Sequence, residues 1–257
     1  MIAELYRHRE LVLFLTWREI AIRYKQAVLG IAWVILQPLT TTLVFSVVFG
    51  LLAKLPSEGT PYPVFTFAAL LPWQLFSSAV DRGSKSLVSS AGLVTKIYFP
   101  RLAVPLSAVA AAAVDFVASF GVFLVLMVIY GIAPTGRLIA VPFLALLVVL
   151  MALGVSFIVS AANVLYRDVQ YVVPFSLTLW MYISPVAYSS RLVPTGPLQL
   201  LYALNPLVGV IQGFRWALIG GPWPGWTLIV SCVLALAGLV GGLAYFRRVE
   251  RIMADVV

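Results

Sequence analysis

The chain of 257 residues is 62% hydrophobic and only 10% charged, with 17 Lys and Arg against 9 Asp and Glu and a formal net charge of +8. That balance excludes an ordinary soluble domain and defines an integral membrane protein. The single Cys232 excludes a disulfide within the chain, the single His8 cannot build a metal site, and the nine acids are scattered without paired carboxylates, so the inventory argues against an enzyme.

Within residues 1–25, Leu13, Trp17, Ile20 and Tyr24 recur at helical spacing while Arg9, Glu10, Arg18, Glu19 and Arg23 fall largely elsewhere on the wheel. The pattern predicts an amphipathic helix lying along the membrane surface, and both lipid anchoring and docking to a partner subunit fit it. The stretch RYKQAVLGIAWVILQPL, residues 23–39, then runs from a cationic cluster into an uncharged segment. Arg23 and Lys25 mark the membrane interface. Pro38 has no N–H for the carbonyl of Val34, a deficit that a neighbouring helix can make good in a bilayer. Gln37 needs a polar environment, either a hydrogen bond across a helix interface or the lining of a channel.

Seven uncharged runs follow, residues 26–53, 59–80, 116–136, 138–166, 169–190, 192–214 and 216–246. Each has the roughly 20 residues that a helix needs to cross about 30 Å of hydrocarbon. No apolar–polar alternation suggests barrel strands, which leaves helices. The run LVPTGPLQLLYALNPLVGVIQGF, residues 192–214, is broken by Pro194, Pro197 and Pro206 and reads as two short helices dipping into one face, bent at Asn205-Pro206. With six crossings the basic residues divide 13 against 4, and with seven they divide 11 against 6. The positive-inside rule therefore predicts six transmembrane helices with both termini cytoplasmic. The same asymmetry explains the net positive charge by topology and anionic headgroups, without nucleic acid.

The segment DRGSKSLVSSAGLVTKIYFPR, residues 81–101, exceeds what a connection requires, and a short helix around Leu87 to Thr95 would suit a cytoplasmic partner. It lacks the phosphate-loop spacing and no strand precedes it, so ATP is not bound by that device. Asp115 is the lone acid among the spans, either an interhelical hydrogen-bonding group or a channel-facing one, and too little for ion coupling. Trp and Tyr crowd toward the external side, from Tyr62 and Trp73 to Trp223 and Trp226. They read mainly as an interfacial belt, with a minority able to line a sugar conduit.

The stretch at residues 23–39, followed in order by VFSVVFG, VTKIYFPRLAVPLS, NVLYRDVQYVVP, ISPVAY and LNPLVGVIQGFRWAL, resembles the permease family of type-2 ABC exporters of polysaccharides and polyol phosphates, most closely its lipid-linked O-antigen branch. The resemblance implies a single permease domain over residues 1–257 in the bacterial inner membrane. It forms a homodimer joined to two copies of a separate subunit that binds the ATP, so that the chain itself needs no cofactor. The expected architecture is all-α: six spans, an interface helix at 1–25, a coupling segment at 81–101 and an external re-entrant hairpin at 192–214. Arg23, Lys25, Ser84, Lys85, Val88 and Lys96 are expected to couple to the ATPase, and Gln37, Pro38, Asp115, Tyr202, Asn205 and Pro206 to line or gate the path. Capsule or teichoic acid export, small-molecule export and a glycan-lipid enzyme are the competing readings.

Overall fold

The computed structural model describes residues 9–25, 32–90, 92, 100–194 and 196–256. Among them are nine α-helices and no strand: α1 (Arg9–Lys25), α2 (Ala32–Phe45), α3 (Tyr62–Ser89), α4 (Ala103–Ile129), α5 (Val141–Leu165), α6 (Val169–Ile183), α7 (Pro197–Ala203), α8 (Pro206–Ile219) and α9 (Trp226–Val256). A π-helical turn, Ser46–Leu52, extends α2, and a 3₁₀ turn, Gly136–Ala140, leads into α5. Five of these segments are long and apolar enough to cross a membrane: Ala32–Leu52, Tyr62–Ser89, Ala103–Ile129, Gly136–Leu165 and Trp226–Arg251. Closing every backbone bond inside a helix is what such sequences must do in lipid.

The central helix is α3, which packs against α2, α4, α5, α6 and α8. Its Phe65, Phe67 and Phe76 are fully buried. The helix does not stop where the uncharged run ends at Val80. It continues through Asp81 and Lys85, which pair at 2.6 Å one turn apart, because Gly83 lies against Ser156 of α5 and the side-chain amide of Asn163 donates to the Ser84 carbonyl at 2.8 Å. The first half of the expected coupling loop is thus a packed helix. The short helix expected at Leu87 to Thr95 overlaps α3 only to Ser89, and residues 93–99 lie outside the described residues.

Close backbone approach joins α5 to α9. A Cβ at Gly242 would sit 2.2 Å from the Gly154 carbonyl oxygen, and one at Gly154 would meet the backbone of Gly238 at 2.6 Å. Small residues let transmembrane helices touch in this way. The α9 helix runs past the uncharged segment, with Phe246 and Val249 buried and the Phe246 ring 5.8 Å from that of Phe157.

Proline has opposite effects in α2 and between α7 and α8. The helix stays continuous across Pro38, and the Ser119 hydroxyl of α4 donates to the Val34 carbonyl at 3.5 Å, so the neighbouring helix supplies the partner that proline withholds. The run at 192–214 contains no continuous helix; it breaks between α7 and α8 at Asn205-Pro206, where Asn205 is extended. The run at 169–190 differs from expectation. Its helix, α6, has only 15 residues, about 22 Å of rise against about 30 Å of hydrocarbon.

Candidate functional site

The carboxylate of Asp115, on α4, gathers three side chains from two other helices. The Arg23 guanidinium and the Tyr24 hydroxyl, both from the last turn of α1, donate to its two oxygens, and the Arg82 guanidinium of α3 donates to the oxygen that Arg23 also meets. Burial together with the hydrogen bond to Asp115 pushes the Tyr24 phenol up to about 12, so it remains a donor at neutral pH. Two cations share one anion, and the cluster keeps one positive charge in excess. The Asp115 side chain is 11% exposed, those of Arg82 and Arg23 22% and 39%. Arg23 and Arg82 stand just beyond the uncharged runs 26–53 and 59–80, while Asp115 lies inside the apolar segment Ala103–Ile129.

Beside it lies a cavity of about 340 Å³ lined by Arg23, Gln37, Pro38, Gln74, Ser77, Ser78, Asp81, Arg82, Asp115 and Ser119, with Val34, Leu75 and Phe116 among its apolar walls. Gln37, Pro38 and Asp115, singled out separately in the sequence, therefore face one space with Arg23. The register of α1, α2, α3 and α4 that brings these side chains together involves residues far apart in the chain, and Arg82, Gln74, Ser77 and Ser78 carried no sequence signal beyond standing at the end of a span.

The other expected coupling residues are dispersed. Lys25 is exposed at the end of α1, Ser84 is fully buried against α5, Lys85 is held by Asp81, Val88 is 51% exposed, and Lys96 lies outside the described residues. The α1 stripe expected to meet the membrane surface or a partner is divided between surface and bundle. That helix packs on α4 through Leu11, Val12 and Leu15, leaving Leu13 and Trp17 exposed on the far side, and Tyr24 turns to Asp115.

At the far end of the bundle, Asn205 caps α8 by accepting from the Leu207 N–H at 3.1 Å. The same side chain accepts from the Trp180 indole at 2.9 Å and donates to the Ser184 hydroxyl at 2.9 Å. Tyr202 donates to the Tyr188 hydroxyl at 3.3 Å. Arg215, which the sequence offered only as a charge to be counted, is almost fully buried: it stands 3.6 Å over the Phe65 ring and donates to the Val186 and Tyr188 carbonyls at 3.0 and 3.2 Å. It ties α8 to the loop after α6. Nothing local distinguishes it from an exposed external arginine.

A helical membrane bundle with a polar cavity among charged side chains is an arrangement that a translocating subunit can use. The chain belongs to the ABC-2 type transporter family, whose model matches residues 10–219. It is 34% identical over 217 residues to the O-antigen export system permease protein RfbA of Myxococcus xanthus, covering 84% of this chain and 82% of that one. It is 26% identical over 249 residues to the Klebsiella pneumoniae protein of the same name, covering 96% and 95%. Against the polysialic acid transport protein KpsM of Escherichia coli it is 28% identical over 243 residues, 92% of each.

Proposed function

We propose that the chain is the translocating subunit of an ATP-driven exporter that moves a lipid-linked polysaccharide of the O-antigen type from the cytoplasm across the bacterial inner membrane. The observation that carries this reading is the likeness to O-antigen export permeases along 84–96% of the chain. Export of a capsule-type polymer is the second reading, favoured by the nearly full-length likeness to a polysialic acid transport protein.

In this proposal two copies pair and two copies of a separate ATPase dock on the side of α1 and the end of α3. Both termini are cytoplasmic, α6 completes the fifth of six crossings despite its short helix, and the broken pair α7–α8 is a re-entrant hairpin at the outer exit. The α1 terminus, Arg23 and Lys25, and the α3 end, Lys85 and Val88 with Lys96 beyond it, receive the ATPase movement, while buried Ser84 keeps α3 seated on α5. Gln37, Pro38 and Asp115 face the path near its entrance; Tyr202, Asn205 and Pro206 form the gate. Deleting the gene and restoring it in trans tests the reading. The expected outcome is glycan retained inside the cell, with surface polymer recovered on complementation; normal surface glycan in the deletion strain overturns it.

A further inference from the structure

The polar cavity has an apolar neighbour. Two of its apolar residues, Leu75 and Phe116, also line a second hollow of about 620 Å³ between α4 and α5, bounded by Ala113, Val117, Leu124 and Leu146. This second space carries no charged residue. It follows α4 from Ala113 to Leu124, about 16 Å of helix, away from the charged cluster and toward Leu138 and Val141. Val117 and Leu146 on its rim are 67% and 55% exposed, so it opens to the hydrocarbon around the bundle.

A pocket in which Lys85 holds Asp81, leaving two arginines against Asp115, and which shares a wall with an apolar groove open to the hydrocarbon, has the division of a lipid into head and tail. We propose that cavity and groove together bind one anionic glycerophospholipid from the leaflet on the Arg23 side, with its phosphate on Arg23 and Arg82 and an acyl chain in the α4–α5 groove. Charge complementarity chooses the head. Each guanidinium meets Asp115 through one terminal nitrogen, Nη1 of Arg23 and Nη2 of Arg82, and the planar fork holds five N–H donors, a geometry that suits phosphate. Gln37, Gln74, Ser77 and Ser78 add amide and hydroxyl groups for a glycerol head. The open rim chooses the source, because the lipids at hand are those of the surrounding bilayer. This site does not depend on the export reading.

The test is native mass spectrometry of the full-length chain in detergent, titrated with phosphatidylglycerol, phosphatidylcholine of the same acyl chains, glycerol 3-phosphate or a polyprenyl phosphate. The expected result is one retained phosphatidylglycerol per chain. Arg82→Gln should weaken it about fivefold or more, the effect of one basic residue on an anionic lipid. Val117→Trp with Leu146→Trp, which fills the groove and leaves the charges in place, should weaken it independently. Equal retention of phosphatidylcholine, or binding indifferent to both variants, overturns the site. Glycerol 3-phosphate competing as well as the lipid removes the groove from it, and preferential retention of polyprenyl phosphate overturns the assignment to bilayer phospholipid.

Discussion

Asp115 shows how far a single residue can be read in isolation. Its helix was evident from the apolar run around it, and so was its need for partners in a membrane. Those partners were not, because Arg23 and Arg82 stand 92 and 33 residues away and meet it only through the register of three helices. Asn205 is the opposite case: proline follows it, local stereochemistry ends the helix there, and the bend was legible. Replacing Asp115 with asparagine keeps the size and removes the charge, leaving two guanidiniums to face each other. The expected loss is about 1–3 kcal/mol, with Tyr24→Phe milder at about 1 kcal/mol. Thermal unfolding in detergent measures both. Combining Asp115→Asn with Arg82→Gln should cost less than the sum, since one repulsion is relieved; strict additivity would show that the cluster does not act as a unit.

Elements differ in the same respect. The end of α3 was misjudged because Asp81, Arg82 and Lys85 look like a boundary, whereas the helix continues by burying the opposite face, Gly83, Ser84 and Ser86, against its neighbours. A proline at Val88 would press its ring on the Ser84 carbonyl, which Asn163 already holds. The last turn should unwind at a cost of up to about 3 kcal/mol. In the proposed exporter, glycan export should fall while membrane insertion survives, and full export at normal protein levels would remove this segment from coupling. The α7–α8 bend makes a matching prediction. Asn205→Ala with Pro206→Ala removes a cap and the hydrogen bonds to Trp180 and Ser184, and it favours one continuous helix. Reconstituted complexes should keep hydrolysing ATP while export drops or the membrane leaks ions; tight membranes with unchanged export contradict a gate here.

For the whole molecule, the class of fold was written in composition and charge spacing, and the arrangement of helices was not. The topology proposed from charge is open to direct measurement. In a Cys232→Ser background, a cysteine at Trp223, 61% exposed, should label only from outside the cell, and one at Val88, 51% exposed, only from within. Labelling of both from one face would defeat the six-crossing arrangement.

The contact of Gly154 with Gly242 carries a mechanical consequence. Two backbones in van der Waals contact leave neither helix freedom to roll or slide past the other, so α5 and α9 form a rigid strut. Any stroke the molecule makes must be taken up elsewhere, by elements such as the short, sparsely buried α6 and the bent α7–α8 pair. Slowest amide exchange should therefore fall on α5 and α9, with α6 and α7 opening first. Enlarging Gly242 to alanine would drive a wedge between the two halves of the strut, and the exchange of both helices should quicken together.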